Sequence, residues 1–590
     1  MLHVLRFIIP FFISSQLYSQ SFVYSKSYFR WPVNNQPGIV ANFGELREGH
    51  WHMGLDILTD HKVNMPVLAA ADGYIARISV HPFGYGQAIY INHPNGLTTV
   101  YGHLNKFFPL LDSVVSAAQY QQQSWEIEIE FTKDQLQVKK GQFIAFSGST
   151  GGSQGPHVHF EIRDTRTERC INPLFFNLPI HDDVRPVITK LALYDRDLSV
   201  YDQHAILFPV KKVKDKYNIK EAIIKTGFSK LGFAIGAYDC ISKSTNPNGI
   251  YAAQIFLDGQ PQIEFVLDSM DYNETDYVNA HVDYKYKYEG GSYLQQLFRL
   301  PGDKGRAYHP KTGDGAILLK DTAVHSVRIL ARDIFDNSSE LDFKIQLDRR
   351  HASLVKQSLQ KQFLPNNANV FEQPNFEVYL SEDCLYDSVE SSFRKIDQSA
   401  PGAVSAQFQF CTPAIPFHGK INIRIKPNRV IPADLQNKIV IKRIDKRSAN
   451  YQKAERQQDW LAASFNDFGQ FQAFADNEAP TISLLGKGDT VDLSSSKSIV
   501  LHTRDNAGIK NFRAELDGQW LKFSNDKAAA WIYNFDEHCP FGVHRLKIHV
   551  EDIVGNVAEK ELLFKRIAFS SGKEKKTSGK KKLHKTKISK

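Results

Sequence analysis

Short apolar runs separated by glycine turns dominate the chain from about residue 28 onward. Between residues 28 and 178 helical periodicity is weak, and the runs are rich in β-branched and aromatic residues. They include Val67–Ala71, Tyr74–Ile78, Ala88–Asn92, Thr98–Tyr101 and Val158–Ile162. Apolar runs of this length between turns are typical of β-strands. We therefore expect an antiparallel β domain over 28–178.

One segment of this region alternates strictly between apolar and acidic residues. In Trp125–Phe131 the odd positions are tryptophan, isoleucine, isoleucine and phenylalanine. The even positions are Glu126, Glu128 and Glu130. Successive side chains of a strand point to opposite faces, so this pattern predicts a half-buried strand with an acidic outer face.

A pattern of aspartates and turns occurs twice in the rest of the chain. The first copy comprises Asp239, Gly249-Ile250, Leu257–Gln260, Asp333 and Asn337, and the second comprises Asp505, Gly508-Ile509, Leu516–Gln519, Asp552 and Asn556. The recurrence predicts two copies of one β-sandwich unit, at about 184–350 and 479–568, with a long insertion in the first. The aspartates could bind calcium, but no dense run of oxygen ligands surrounds them, so we interpret them as turn and strand-end residues.

The segment 365–476 has a strand pattern of its own and predicts one more β domain. The expected fold class is therefore mainly β. It consists of an antiparallel β domain, about three immunoglobulin-like β-sandwich domains, and a disordered basic tail at 570–590.

The net charge of +8 lies entirely in the tail, because Ser571–Lys590 contains nine lysines and one glutamate. The remaining residues sum to zero, which argues against a nucleic-acid-binding body and predicts no specific nucleic-acid partner. The tail has almost no apolar content, so we expect it to be disordered. It would contact anionic envelope polymers, or remain a solvated end.

The N-terminus is typical of a secretory signal. Residues 1–19 contain Arg6, a short apolar run from Phe7 to Ile13, and small residues before a cut near Ser19. We expect export to the periplasm, cell envelope or exterior, and no transmembrane segment. The five cysteines form no CxxC pair, which argues against a cysteine zinc site. Cys384 and Cys411 could form a disulfide.

The histidines of the first domain form the informative pattern. His52 and Asp56 lie four residues apart, His103 follows in Tyr-Gly-His-Leu, and His157 and His159 alternate in His-Val-His. Alternate residues of a strand project to one face. Two neutral imidazoles and one carboxylate are a standard ligand set for a catalytic zinc ion, because they leave the fourth position open to water.

Together with their flanking residues, these histidines resemble the lysostaphin-type zinc metallopeptidases, the M23 peptidases that cleave bacterial cell walls. The resemblance covers about 150 residues. The matching positions are Phe43-Gly44, His52–Asp56, Pro66-Val67, Ala71–Gly73, Gly84–Gly86, Tyr101–Leu104, Gly141, Ser147-Gly148, Thr150-Gly151, Pro156–Arg163 and Asn172-Pro173.

The resemblance implies a role for each residue. His52, Asp56 and His159 would bind one Zn²⁺ ion, and His103 and His157 would position and deprotonate the attacking water. His50 also neighbours His52, but only His52 has the Gly-x-Asp spacing after it, so we expect His50 to lie at the rim. The implied substrates are the stem peptides and crossbridges of bacterial peptidoglycan.

Two other functions stay open at this point. One is a non-catalytic cell-wall scaffold that regulates another hydrolase, and the other is a protease of glycine-rich extracellular proteins. The chain also departs from the compact family pattern by an insert at about 109–137, which contains the acidic strand. The insert would either gate the substrate groove or form a remote β-hairpin that only extends the sheet.

Overall fold

The computed structural model describes residues 27–351, 361–396, 400–483 and 490–568. The predicted signal segment 1–19 and the predicted tail 570–590 lie outside the described residues. The structure is mainly β with predominantly antiparallel sheets, which confirms the predicted fold class. The domain boundaries given above stay a prediction.

The first domain is built around one antiparallel sheet. Its central strands follow the order Ile39–Ala41, Leu55–Leu58, His157–Asp164, Leu97–Phe107, Gln87–Asn92, Gly73–Val80 and Gln137–Val138. The accessory strands are Pro66–Leu68, Ile127–Glu130, Phe143–Ser147 and Cys170–Ile171, and a separate hairpin pairs Leu46–Arg47 with His50–Trp51. A short 3₁₀-helix, Pro173–Phe176, ends the domain. Apolar strand faces supply its core, including Leu55, Ile78 and Val158.

The insert extends the sheet but is not a β-hairpin, and its role as a gate of the substrate groove stays a prediction. It begins with an α-helix, Pro109–Gln122, and a proline at its first position fits the start of a helix. The acidic strand follows as Ile127–Glu130 and adds to the edge of strand Gly73–Val80. Ile127 is buried and Glu128 is exposed, so the predicted alternation is confirmed. A helix was not expected because its buried positions are few, namely Leu111, Val115 and Gln119.

The next unit contains two connected sheets. Their strands are Val187–Asp195, Ile206–Val213, Lys216–Ile219, Ile224–Thr226, Lys230–Tyr238, Ala252–Leu257, Gln260–Val266, Gln295–Gln296, Tyr308–Pro310, Ile317–Leu318, Val324–Arg332 and Ser338–Leu347. The insertion between its halves contains the strand Ser269–Met270 and the helices Tyr272–Tyr277, Val278–His281 and Tyr284–Tyr288. A 3₁₀ turn, Arg349–His351, follows the last strand.

Two further sandwiches follow. The middle one packs two five-stranded sheets against each other. The first sheet contains Asn369–Gln373, Phe376–Leu380, Ile421–Ile425, Glu455–Gln457 and Trp460–Phe465. The second contains Phe393–Ile396, Gln407–Phe410, Ile439–Ile444, Ala449–Lys453 and Gly469–Ala475. A small pair, Gln362–Phe363 with Val389–Glu390, and the 3₁₀ turn Ala433–Leu435 accompany them.

The last sandwich packs Thr481–Ser483, Ser498–Arg504 and Trp531–Asn534 against Thr490–Asp492, Ile509–Leu516, Gln519–Trp520, Gly542–Asp552 and Val557–Arg566. A 3₁₀ turn, Asp526–Ala528, lies between two of its strands.

The domains share buried surfaces. Phe43, Trp51 and Cys170 of the first domain pack into the core of the second unit, and Ile241 of the second packs into the core of the first. The strand Cys170–Ile171 also pairs with Ser269–Met270 across the boundary. The first domain is therefore fixed to its neighbour.

All five cysteines lie in described parts of the chain, and each is free. The suggested disulfide between Cys384 and Cys411 is therefore wrong. Both thiols are buried in the core of the middle sandwich, where they pack as small apolar side chains. No helix in the described residues has the length and apolar character needed to cross a membrane.

Candidate metal and catalytic site

Three predicted ligands meet where two antiparallel strands pair. Asp56 on Leu55–Leu58 and His159 on His157–Asp164 are direct partners in the ladder. His52 lies four residues before Asp56, and its Nε2 atom is 2.9 Å from Asp56 Oδ1. His159 Nδ1 lies 3.0 Å from the same oxygen and 3.1 Å from His52 Nε2. All three side chains are buried.

The other nitrogen of each imidazole is held by an acceptor. His52 Nδ1 lies 2.7 Å from the carbonyl oxygen of Asn42, and His159 Nε2 lies 2.8 Å from Glu161 Oε1. A ring nitrogen that donates to an oxygen carries the proton and leaves the opposite nitrogen free as a ligand. The backbone and Glu161 therefore select the tautomers in which His52 Nε2 and His159 Nδ1 face Asp56.

Glu161 is a fully buried carboxylate behind His159. Burial opposes its charge, but the guanidinium of Arg163 and the imidazole of His159 outweigh burial and lower its pKa to about 2. Burial also opposes charge on His159, yet hydrogen bonds to Asp56 and Glu161 raise the pKa of the ring to about 9. Both shifts share one cause, the attraction between the Glu161 carboxylate and the His159 ring, to which Arg163 and Asp56 add.

The hydroxyls of two tyrosines complete the surroundings of Glu161. Tyr85 OH and Tyr272 OH each lie 2.5 Å from Glu161 Oε1. Tyr85 stands in the Gly84–Gly86 turn of the first domain, whereas Tyr272 belongs to the insertion of the second unit. The second unit therefore supplies one of the side chains that hold Glu161 in place beside His159.

The second histidine pair lies beside this centre. The rings of His103 and His157 are 4.7 Å apart between centroids, and the rings of His103 and His159 are 5.8 Å apart. His157 Nε2 is 3.3 Å from Asp56 Oδ1. Burial, together with the neighbouring His159 and His157, lowers the pKa of His103 to about 3. The ring of His103 is therefore neutral at ambient pH.

Loop carbonyls orient the second pair as well. His103 Nδ1 lies 2.7 Å from the oxygen of Thr150, and His157 Nδ1 lies 2.8 Å from that of Gly155. The loop that carries Thr150 packs tightly on the Gly84–Gly86 turn, because a Cβ atom on Gly151 would lie 2.2 Å from Gly86 N. The glycines of both motifs therefore permit the approach that places His103.

An arginine holds the remaining oxygen of the aspartate. Arg47, on the hairpin beside the site, places one guanidinium nitrogen 2.8 Å from Asp56 Oδ2. Its Nε donates to Glu45, whose carboxyl has a pKa raised to about 7, mainly by burial. Asp56 thus keeps Oδ1 for the histidines and gives Oδ2 to Arg47.

The donor set fits a metal ion. His52, Asp56 and His159 each offer one ligand atom, and these atoms lie within 4.8 Å of one another. Two imidazole nitrogens and one carboxylate oxygen are suited to Zn²⁺ and to other borderline divalent ions. The structure thus brings all five predicted residues together, and it leaves His50 exposed and bonded to Glu48 O.

Sequence reasoning gave no role to Arg47, Tyr85, Glu161 or Tyr272. Glu161 had a signal, because it lies two residues after His159 and so shares its strand face. Tyr272 has no local signal, since it reaches the site from another domain.

The last sandwich contacts the loop that carries Thr150. Lys527 Nζ donates to the carbonyl oxygens of Gly151 and Ser153 at 2.8 and 2.6 Å. Asp526 accepts from Gly151 N at 2.7 Å. Ser153 in turn lies 3.3 Å from His157 Nδ1. A turn about 375 residues away in sequence therefore supports the loop behind His103 and His157.

The insert helix forms a second contact with the same sandwich. Tyr120 stacks on His538 with ring centroids 3.7 Å apart and meets Trp520 edge-on. Lys522 donates to Ser116 Oγ at 2.9 Å. The insert is therefore a docking element in this structure, which was not among the sequence-based expectations.

Residues 50–120 and 113–173 match peptidase family M23, and residues 360–476 match the Zu5-like domain. An uncharacterized metalloprotease of Haemophilus influenzae is 31% identical over 163 residues, which cover 26% of this chain and 28% of that protein. The DD-carboxypeptidase/endopeptidase Mpg of Neisseria meningitidis is 34% identical over 128 residues, 22% of this chain and 23% of that protein. The chain thus spans about a quarter of the length of these relatives.

Among solved structures, a zinc-containing peptidase from Vibrio cholerae is 28% identical. The match covers 25% of this chain and 39% of that one, with a TM-score of 0.19. The first domain is a peptidase M23 domain.

Proposed function

We propose that this protein is an exported zinc-dependent endopeptidase that hydrolyses peptide crosslinks of bacterial peptidoglycan. The observation that carries the proposal is the convergence of His52 Nε2, Asp56 Oδ1 and His159 Nδ1 within 3.1 Å, with two further imidazoles beside them. The match to family M23 supports the peptidase activity, and similarity to a relative named peptidoglycan DD-endopeptidase ShyA, from Vibrio cholerae, supports the substrate class.

In this proposal His52, Asp56 and His159 hold the zinc ion. When bound, zinc polarises a peptide carbonyl and lowers the pKa of water, which is the chemistry a peptidase needs. Glu161 and the Asn42 carbonyl keep the two imidazoles in their ligand tautomers. Arg47 restricts Asp56 to one free oxygen.

His103 and His157 act as the proton-moving pair. Because Nδ1 of each ring donates to a loop carbonyl, Nε2 of each carries the lone pair that can accept a proton from the attacking water and pass it to the leaving amine. In His157 this nitrogen also faces Asp56 Oδ1 at 3.3 Å. A ring that has taken up the proton also stabilises negative charge on the carbonyl oxygen. The low pKa of His103 keeps its ring in the accepting form before reaction.

The non-catalytic alternative is less favoured. A scaffold does not need five converging side chains with fixed tautomers, and this chain retains them all.

In the proposed peptidase the sandwiches would serve as targeting or spacing modules, and the predicted tail 570–590 would bind anionic envelope polymers. Export would follow from the predicted signal at 1–19.

Digestion of purified peptidoglycan by the full chain tests the proposal. We expect release of uncrosslinked muropeptides with stoichiometric zinc, loss with a chelator, and recovery when zinc is restored. His159→Ala and His157→Ala should abolish release, whereas the exposed His61→Ala control should retain it. Release that survives chelation or His159→Ala would contradict the zinc assignment, and no release by zinc-loaded wild type would favour the scaffold.

A further inference from the structure

Two clusters of three aspartates occupy equivalent positions in the first and last sandwich units. In each unit one aspartate follows the strand that ends before the repeated Gly-Ile pair, and one lies in the turn of the final hairpin. The third comes from the segment that enters the unit and was not part of the sequence repeat. The clusters are Asp182, Asp239 and Asp333, and Asp476, Asp505 and Asp552.

The first cluster is buried, and two of its carboxylate oxygens receive no hydrogen bond. Asp182, Asp239 and Asp333 are 6%, 1% and 3% exposed, and they present ligand oxygens within 4.8 Å of one another. Asp182 Oδ2 and Asp239 Oδ1 have no hydrogen-bond partner. The amide oxygen of Asn248, which pairs with Asp239 through the backbone, is also buried and without a partner. Buried oxygens of this kind are costly unless something satisfies them.

The negative charges of this cluster face one another. None of the three carboxylates forms an ion pair with a lysine or arginine in the described parts of the chain. Burial raises the pKa of Asp239 to about 7, and the carboxylates of Asp333 and Asp182 add to the shift. The cluster therefore lacks the positive charge that three buried aspartates require.

The second cluster repeats the arrangement. Asp552 Oδ2 accepts from Asn556 Nδ2 at 2.7 Å, and the same amide reaches Asp476 O at 3.1 Å. In the first cluster Asn337 Nδ2 bonds to Asp333 Oδ2 at 2.8 Å and to Asp182 O at 3.3 Å. Here too, two buried oxygens, Asp476 Oδ2 and Asp505 Oδ2, have no partner.

The two clusters differ in their surroundings. Lys438 Nζ donates to Asn556 Oδ1 at 2.7 Å, which places one cation close to the second cluster. Asp505 is also only partly buried. A divalent cation would therefore be held less tightly at the second cluster than at the first.

Both clusters lie at a junction between domains. Asp182 is in the segment between Ile180, in the core of the first domain, and the strand Val187–Asp195. Ile334 and Phe335, directly after Asp333, pack against that same core. Asp476 follows the last strand of the middle sandwich and precedes the first strand of the last one.

We propose that each cluster binds one Ca²⁺ ion and that the two ions fix the orientation of the domains on either side. Calcium is held by six to eight oxygens at about 2.3–2.6 Å, so two oxygens on one ion lie at most about 5 Å apart. The separations within both clusters satisfy this limit. Carboxylate and amide oxygens without nitrogen or sulfur donors select hard cations over zinc. The sites are independent of the peptidase assignment.

Calcium titration of the full chain tests the proposal. The protein is dialysed against metal-depleted buffer and resupplied with one equivalent of zinc, so the peptidase site stays constant. Isothermal titration with CaCl₂ alone should show two sites, with the tighter one lost in Asp239→Asn and the weaker one lost in Asp505→Asn. Calcium at about 100 times its Kd should raise Tm by about 5 °C. Asp434→Asn, at an exposed aspartate outside both clusters, should behave as wild type.

Measurements without calcium separate binding from folding. Removing one of three facing charges relieves repulsion, so Asp239→Asn should match or exceed the wild-type Tm in calcium-free buffer and lose the calcium-dependent rise. A lower Tm in calcium-free buffer, with the rise retained, would show a purely structural carboxylate and overturn the proposal. Absence of binding heat and of a Tm shift at millimolar Ca²⁺ would also overturn it. An equal response to Mg²⁺ would contradict the assignment to calcium.

Discussion

The hydroxyl of Tyr272 lies 2.5 Å from Oε1 of Glu161, although the two residues are 111 positions apart and belong to different domains. The same oxygen accepts a hydrogen bond from His159 Nε2, so the second unit contributes to the geometry of the candidate metal site. The first domain is therefore expected to have lower metal affinity when this contact is removed.

Replacing Tyr272 by phenylalanine tests this coupling. Removing one donor to a carboxylate behind a ligand histidine weakens metal binding or activity, typically by about 10–100-fold. We expect the loss in Tyr272→Phe to lie near the tenfold end of this range, since Tyr85 still donates to the same oxygen. Zinc affinity, measured by competition with a chelating dye, and kcat/KM should fall together. Tyr379→Phe, at an exposed tyrosine of the middle sandwich, is the control, and an unchanged affinity in Tyr272→Phe would refute the coupling.

The proposed roles of the two histidine groups predict different defects. His103→Ala should retain one zinc ion per chain and lower kcat by about 10²–10⁴-fold, because general acid–base catalysis contributes that much. His52→Ala should lose the ion. Metal content by elemental analysis and peptidoglycan digestion by the same preparations check both outcomes. Loss of zinc from His103→Ala would place that residue among the ligands instead.

The contact between Lys527 and the loop behind the histidines predicts a long-range effect. Lys527→Met removes two hydrogen bonds to the carbonyls of Gly151 and Ser153. We expect faster amide hydrogen exchange in residues 149–155 and a kcat lowered by roughly tenfold or less, since the loop carbonyls orient His103 and His157. Lys547→Met, on the same sandwich, should leave both unchanged. A higher kcat in Lys527→Met would instead indicate that the sandwich restrains the enzyme.

A buried histidine predicts how stability depends on pH. His281 is 1% exposed and packs against Trp51 with ring centroids 4.7 Å apart. Burial lowers its pKa to about 4, below the unfolded value of 6.5. As pH falls below 6.5 the unfolded chain binds a proton that the folded chain refuses until about pH 4, so stability falls across this window.

The corresponding change in the free energy of unfolding is about 2 kcal/mol between pH 6.5 and 5. Urea denaturation at pH 7.5 and pH 5 should show that His281→Asn loses less stability on acidification than wild type, by roughly this amount. His502→Asn, at an exposed histidine, should lose as much as wild type. Equal losses in His281→Asn and wild type would refute the buried neutral state of His281.

The sequence by itself determined the β-class fold, and it predicted the five residues that the structure brings together at the candidate site. Period-two alternation decides which side chains share a strand face, so the pairing of His157 with His159 and the acidic face of Ile127–Glu130 follow from the chain itself. His52 and Asp56 could also be predicted from the chain itself, because they lie only four residues apart in one motif. The insert helix was missed because few of its positions are buried and the apolar pattern is weak.

Tertiary structure alone decided the contacts between segments that are distant in sequence. Tyr272 at Glu161, Lys527 at the 151–153 carbonyls, and Asp182 beside Asp239 and Asp333 each depend on how two folded units pack. The aspartate repeat was visible in the sequence, but its third carboxylate lies outside the repeat in the segment that joins two domains. Such contacts carry no periodic signal, because their formation depends on buried surfaces and hydrogen-bond partners that exist only after both units have folded.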